Sequence, residues 1–296
     1  MADPRRDTMA TSGLIAPTLE VWSSLGFPVV GQRALSRLGA ARAFRLDLRG
    51  GGTVKGRIFP TARWAARIER LLSLPRAAGL PKPLCRLDRF MVLEFVEGTP
   101  LDEWLPRQPL DREAAAARAA GLWLAQLHRG SPPADRAPAP SRYAQRLGVV
   151  LRRMLRARLL GADVVGALGR LTPPASASRA VTHGDICPEN LIRTPAGPIR
   201  PIDEERLAVR PLAYDLARTI NRWPLSARLE AAFLEGYVSG GGRPAGFLKH
   251  RTFWIAAALA TSAEYRWQQP SRLRPILAAL DRLFTVISDT TTGHDR

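Results

Sequence analysis

Cysteine is scarce: Cys85 and Cys187 are the two in 296 residues. Two thiols exclude a disulfide framework and a cysteine-rich zinc site. Lysine is scarcer than its charge class suggests, with three (Lys55, Lys82 and Lys249) among 44 basic residues. Asparagine occurs twice and histidine four times. No long hydrophobic run is present. The longest near-continuous one, Phe253 to Ala263, falls short of the roughly 20 residues a helix needs to cross a bilayer. The opening MADPRRDTMATSG has no apolar core of the kind a secretory signal requires. These absences make a soluble, reduced, cytoplasmic protein the expectation.

Hydrophobic residues make up 46% of the chain, enough for a sizeable core in one large domain or two modest ones. The formal net charge of +18 points towards anionic partners such as a nucleotide, nucleic acid or a lipid surface. The basic residues are overwhelmingly arginine, and alanine and proline are abundant. A coding bias towards GC-rich codons therefore explains the charge as readily as a selected anion-binding surface does, and both explanations stand. No base-reading motif accompanies the charge, so no specific nucleic-acid partner is expected. Under such a bias, a lysine that remains reads as chemically required.

The first hundred residues pattern as short strands around one helix. Apolar positions alternate in Ala43–Leu48 and again in Thr53–Phe59, with Arg49-Gly50-Gly51-Gly52 between them. That is the signature of an antiparallel hairpin. A helix is expected near Thr61–Leu74, a proline-broken stretch through Pro75, Pro81 and Pro83, and a buried strand over Arg89–Val96. Glu97-Gly98-Thr99-Pro100 marks a boundary. Beyond it the pattern is helical: Asp111–His128 with Asp111 as N-cap, Arg142–Leu160, Leu212–Asn221, Ser226–Val238, Phe247–Tyr265 and Ser271–Ser288. Short strands interrupt it at Ala180–Thr182, Leu191–Arg193 and Ile199–Ile202. The expected fold class is α+β, with a small β-rich N-terminal lobe (1–97) and a larger helical C-terminal lobe (98–296).

The chemistry concentrates in THGDICPENLI, residues 182–192. His183-Gly184-Asp185 is followed by Asn190, and Asp203 comes thirteen residues later at the end of a predicted strand. From this composition, His-x-Asp-x₄-Asn arises by chance about once in eight hundred such chains. Phosphoryl transfer needs a carboxylate at the attacking hydroxyl and hard oxygen ligands for a metal on the nucleotide phosphates. The protein-kinase catalytic loop supplies these groups at this spacing. Five of the 26 acidic residues lie between Asp185 and Glu205, a locally acidic patch in a basic chain.

With HGD in place of HRD, Ile202-Asp203-Glu204-Glu205 as the metal-aspartate setting, and Tyr214-Asp215-Leu216-Ala217 downstream, the sequence resembles the aminoglycoside phosphotransferase and choline-kinase-like family, which has a two-lobed protein-kinase-like fold. The resemblance implies an ATP- and Mg²⁺-dependent kinase acting on a hydroxyl of a small molecule. It implies that Asp185 orients or deprotonates that hydroxyl, and that Asn190 and Asp203 hold Mg²⁺. His183 would support the loop, and Asp215 would hydrogen-bond it from the helix below. In the N-terminal lobe Lys55 resembles the lysine on the α/β phosphates and Glu69 its ion-pair partner. Glu94, Phe95 and Val96 take the place of the hinge that binds adenine. The glycine loop departs from the pattern, since Arg37–Phe44 carries a single glycine, Gly39. That departure leaves a second expectation open: a nucleotide-binding pseudokinase serving as a regulatory or interaction module.

Other signals have plainer readings. His128 suits a helix C-terminus, Cys187 suits packing, and His250 and His294 show no partner spacing. The basic helix Arg142–Leu160 reads as a core-packed helix with a solvated face, though contact with an anionic membrane stays open. Trp223, Phe253, Trp254, Tyr265 and Trp267 are core residues or the lining of an acceptor pocket. A polycationic acceptor would need carboxylates, for which Glu204, Glu205 and Glu264 are candidates. Neither the acceptor nor the oligomeric state is legible.

Overall fold

The computed structural model describes residues 18–35, 42–130, 132, 137–223 and 226–292. The opening segment, Arg37–Ala41 of the single-glycine stretch, and His294 lie outside the described residues. The chain divides into two compact units, Met1–Glu97 and Gly98–Arg296.

In the first unit the alternating stretches become strands, because every second side chain can reach a common core. A short helix α1 (Leu19–Ser23) precedes β1 (Val29–Ala34), β2 (Ala43–Leu48) and β3 (Thr53–Ile58); α2 (Ala62–Leu72), β4 (Pro83–Leu87) and β5 (Phe90–Glu94) follow. The five strands form one antiparallel sheet in the order β1-β2-β3-β5-β4. Trp22 of α1 closes the sheet's core over Phe44, Leu46, Val54, Ile58 and Val92. Helix α2 starts where Thr61 Oγ1 accepts from Trp64 N at 3.2 Å, a side-chain N-cap. It buries Ala65, Ile68, Leu71 and Leu72 along one face. Pro83, expected only to break the chain, instead opens an edge strand. The sheet tolerates it there because an edge strand has ladder positions that need no N–H.

The second unit begins with β6 (Thr99–Pro100), α3 (Leu101–Trp104), α4 (Leu110–His128), α5 (Pro140–Arg156) and α6 (Ala162–Gly169). Then come β7 (Arg179–Thr182), β8 (Leu191–Arg193), β9 (Ile199–Pro201) and β10 (Ala208–Pro211). The chain finishes through α7 (Leu212–Arg222), α8 (Ala227–Ser239), α9 (Ala245–Lys249), α10 (Arg251–Tyr265) and α11 (Pro270–Thr292). Two small antiparallel sheets, β10-β7 and β6-β8-β9, carry the segments between residues 179 and 211. Every residue of α10 from Phe253 to Ala263 is buried, against α7, α5 and α11. The longest apolar run is thus a core helix. Among the described residues no helix is long and apolar enough to cross a membrane.

Two expectations need correction. Asp111 does not cap α4. Pro109 holds the N-cap position, and Asp111 sits in the first turn, where its carboxylate reaches across to Arg228 of α8. Phe247–Tyr265 is two helices rather than one, because His250 leaves helical geometry at φ −122° and ψ 30°. Strands β1, β4 and β10 and helices α1, α3 and α6 had no expected counterpart. All are short, as is β6, which likewise had none. β10 pairs with β7 and β6 with β8, strands remote in the chain, whereas β4 folds directly back from β5 and was hidden by its opening proline.

Helices α4 and α8 pack most closely where they lack side chains. A Cβ on Gly236 would overlap the carbonyl oxygen of Arg118 and lie 2.9 Å from its Cα. Alanine gains about 1 kcal/mol over glycine in helix propensity. Forcing two backbones apart costs about 1–3 kcal/mol. Gly236→Ala is therefore expected to lower the urea midpoint with an unchanged m-value. A stabilised variant would show that the helices can separate without penalty.

Candidate active site

Strand β7 delivers the chain to His183, and the loop returns through a 3₁₀ turn (Pro188–Asn190) into β8. Gly184 sits at φ +80°, and a Cβ there would lie 2.5 Å from Arg210 Nη1 and 3.3 Å from Arg206 O. Glycine between His183 and Asp185 is thus required by both conformation and space. The bend points two successive amides, His183 N and Gly184 N, at the carboxylate of Asp215 at 2.9 and 2.7 Å. Asp215 is fully buried on α7. His128 Nε2 lies 3.1 Å from its Oδ2, and His128 Nδ1 lies 2.9 Å from the Tyr237 hydroxyl. With Nε2 protonated, the chain of donors runs from Tyr237 through His128 to Asp215. Burial pushes the Asp215 carboxyl up, but His128 and the Gly184 amide outweigh it and hold the group below the usual carboxylate range.

His183 is itself fully buried, and its Nε2 donates to Ile202 O at 3.0 Å. Burial pushes its ring below the usual histidine value despite Asp215, Asp185 and Asp203 nearby, so the ring is neutral. It meets Trp123 edge-on at 5.8 Å. Its Nδ1 has no hydrogen-bond partner among the described residues, which suits a supporting group rather than a proton carrier. Ile202 N in turn donates to Asn190 O at 2.8 Å, and Asn190 Nδ2 donates to Asp185 O at 2.9 Å. Asp203, next to Ile202, adopts a left-handed conformation at φ +68° and ψ 58°. Holding a non-glycine residue there costs on the order of 1 kcal/mol, a kind of strain that recurs at functional sites.

These bonds knit Asp185, Asn190 and Asp203 into one constellation. Asn190 keeps its amide oxygen as an acceptor, and Asp203 contributes a carboxylate. Both are hard oxygen donors of the type Mg²⁺ prefers. The described residues hold no group of three or more His, Cys, Asp or Glu side chains suited to a metal on their own. A two-ligand set fits Mg²⁺, which takes one or two protein oxygens and completes its shell with phosphate and water.

Asp185 has company that its motif does not announce. Arg218 Nη2 lies 2.8 Å and Arg222 Nε 3.1 Å from Oδ1, and Arg206 Nε is 3.7 Å from Oδ2. Burial pushes the Asp185 carboxyl up, but Arg218, Arg222 and Arg206 together hold it below the usual range. Cys187 is buried beside it with its thiol pushed up, chiefly by burial, and its sulfur accepts from Arg222 Nη2 at 3.5 Å. The thiol is inert. Arg218 and Arg222 stand four residues apart on the α7 face that also carries Asp215. That spacing is present in the sequence, but 41 arginines hide it.

The first unit places Lys55 in the centre of its sheet. The residue is buried on β3, opposite Arg45 of β2 and Leu93 of β5. Glu69 on α2 binds Arg86 Nε through Oε2 at 2.6 Å. Glu94 ends β5, with its amide donating to Lys82 O at 2.8 Å. Arg45 lies over the Phe95 ring at 5.2 Å, and Val96 is buried.

The profile of the APH phosphotransferase enzyme family matches residues 34–253. The chain belongs to this family. Its structure is similar to the macrolide 2'-phosphotransferase MphH from Brachybacterium faecium (TM-score 0.65, 18% identity, covering 88% of this chain and 97% of that one). It is also similar to the choline kinase LicA from Streptococcus pneumoniae (TM-score 0.64, 15% identity, 90% and 97%). An aminoglycoside-3'-phosphotransferase of type VIII aligns at TM-score 0.56 and 20% identity, over 80% and 96% of the two chains. No curated protein sequence matches. Identities this low establish the fold, which is protein-kinase-like, and the family profile makes the chain a small-molecule phosphotransferase.

The buried Asp215 gives a pH signature. Its folded pKa lies below the unfolded value of about 3.9, so its stabilising contribution is complete above that pH and is lost as pH falls through the folded pKa. Asp215→Asn should cost about 3 kcal/mol or more near neutral pH, since it leaves buried donors unmatched. The difference from the parent should narrow below pH ~4 in acid-unfolding curves. A difference constant with pH would assign the loss to packing alone.

Proposed function

We propose that the chain is an ATP- and Mg²⁺-dependent kinase that phosphorylates a hydroxyl of a small molecule. The observation that carries this reading is the set of backbone and side-chain bonds joining Asp185, Asn190 and the Ile202–Asp203 segment. Asn190 and Asp203 hold Mg²⁺ and Lys55 contacts the α/β phosphates, while Glu69, bound to Arg86 in this structure, is the acid that would pair with that lysine. Backbone groups of Glu94, Phe95 and Val96 receive adenine. When bound, Mg²⁺ neutralises charge on the phosphoryl group being transferred. Asp185, ionised and held below its usual range, is a weak base. Its work is to accept a hydrogen bond from the acceptor hydroxyl and aim it in line. A loose phosphoryl-transfer transition state asks for little more, because the nucleophile needs scant deprotonation. His183 and Asp215 hold the loop. We place the reaction in the cytoplasm, where ATP is available and the free thiols of Cys85 and Cys187 stay reduced.

A second reading, a nucleotide-binding pseudokinase acting as a regulatory or interaction module, draws on one observation: Asp185 Oδ1 is already bound by Arg218 and Arg222. Two measurements separate the readings. ATP with Mg²⁺ at a hundredfold excess over Kd should stabilise the fold by about 2.7 kcal/mol, and Asp203→Asn should lose the Mg²⁺-dependent part of that shift. Asp185→Ala should keep the shift and lose roughly 10²- to 10⁴-fold in ADP formation with acceptor present. Near-normal transfer by Asp185→Ala removes the kinase assignment of that residue. ATP binding without transfer to any acceptor favours the pseudokinase.

A further inference from the structure

Three guanidiniums, those of Arg206, Arg218 and Arg222, converge on the single carboxylate of Asp185. Arg218 is fully engaged: Nε donates to Gly184 O at 3.2 Å, Nη1 to Ser262 Oγ at 2.8 Å and Nη2 to Asp185 at 2.8 Å. It is a buried positioning residue. The arginines around it are not saturated. Arg222 uses Nε on Asp185 and Nη2 on Cys187, and its Nη1 has no hydrogen-bond partner among the described residues. Arg206 reaches Asp185 only at 3.7 Å, beyond hydrogen-bond range, and its guanidinium lies over the Tyr265 ring at 4.9 Å.

Arg266 joins them from the segment after α10. It is half-buried and makes no ion pair with Asp or Glu among the described residues. Burial and then the charges of Arg222 and Arg272 push its guanidinium below the usual arginine value, with Asp185 opposing weakly. Glu189 is the other carboxylate whose charge Arg222 feels. Of the three acids that a cationic acceptor would draw on, Glu205 is half-buried with an interaction of its own. Glu264 binds Arg146 at 2.5 Å, and Glu204 is fully buried. Trp223, Phe253 and Trp254 are also buried in the core, and Trp267 is half-buried beneath Arg153 at 4.0 Å, which leaves Tyr265 as the exposed aromatic beside the arginines.

Several guanidiniums held close together, part-buried and with donors open, call for an anion. We infer that the phosphoryl acceptor is itself anionic: a hydroxyl-bearing small molecule whose carboxylate or phosphate is held by Arg206, Arg222 and Arg266 while its hydroxyl meets Asp185. The inference deepens the kinase reading above and rests on it. In the reaction the acceptor oxygen forms a bond to the γ-phosphorus of ATP, and the bond from that phosphorus to the β,γ-bridging oxygen breaks. ADP leaves, and the hydroxyl proton passes by way of Asp185 to solvent. The same charge repels polycations and quaternary amines.

Titration calorimetry at near-physiological salt tests this without nucleotide, using four alcohols: glycerol 3-phosphate, D-glycerate, neutral glycerol and cationic ethanolamine. The anions should bind, and the other two should not. The tighter of the two anions identifies the preferred group. Arg266→Gln disturbs no hydrogen bond and should weaken anion binding at least about tenfold. Arg156→Gln, which removes the same charge from the exposed face of α5, should change nothing. The inference is overturned if neither anion binds, if glycerol or ethanolamine binds as tightly, if Arg266→Gln is silent, or if Arg156→Gln weakens binding equally. The stabilisation by ATP with Mg²⁺ is measured on the same samples. Its loss would fail the kinase reading, whereas its retention without anion binding fails only the acceptor class.

Discussion

Asp215 holds the loop from His183 to Asn190 in place. A single buried carboxylate takes the amides of His183 and Gly184 and a ring nitrogen of His128. Without those donors the charge could not stay ionised in the core. Without the carboxylate, two consecutive amides would be buried unmatched. Each side needs the other, so the bend at Gly184 has one low-energy arrangement. The direction of Asp185 follows from that bend, and the Asn190–Ile202–His183 bonds tie the next segment to it. The close approach of α4 and α8 belongs to the same arrangement, since α4 carries His128 and α8 carries Tyr237.

Electrostatics then set the character of Asp185. A buried carboxylate alone would tend to protonate. Three guanidiniums reverse that tendency and leave an ionised, firmly oriented, weakly basic group. Such a group suits orienting a hydroxyl better than stripping its proton. Two of the three guanidiniums, those of Arg206 and Arg222, extend past Asp185 with unused donors. The features that fix the Asp185 carboxylate therefore also bias what can bind beside it. In a chain of net charge +18, the general excess of arginine does not explain this placement. Most of the described arginines are exposed, whereas Arg218 is buried and bound at all three nitrogens.

Much of the architecture was legible because it is written in local periodicity. The β2–β3 hairpin, α2, β5, α7, α8 and α11 follow from alternation or helical spacing within single segments. The elements that escaped notice are short ones stabilised from outside. β10 exists because β7 lies beside it, and β6 because β8 supplies its partner. Asp111 looked like a cap because it opens a helix, but its carboxylate is used between helices, by Arg228. His128 was read as favouring a helix terminus. Its closer engagement is with Asp215 and Tyr237, 87 and 109 residues away.

The sequence by itself determined the longer helices, the β2–β3 hairpin and the spacing of His183, Asp185, Asn190 and Asp203. These depend on interactions within one helix, one hairpin or one loop. Tertiary structure alone decided which of 41 arginines meet Asp185, that Asp215 holds two amides, and that Arg266 lies among like charges. Those outcomes depend on distances between residues far apart in the chain. Composition carries no trace of them, because a guanidinium buried against a carboxylate and one in open solvent are spelled with the same letter.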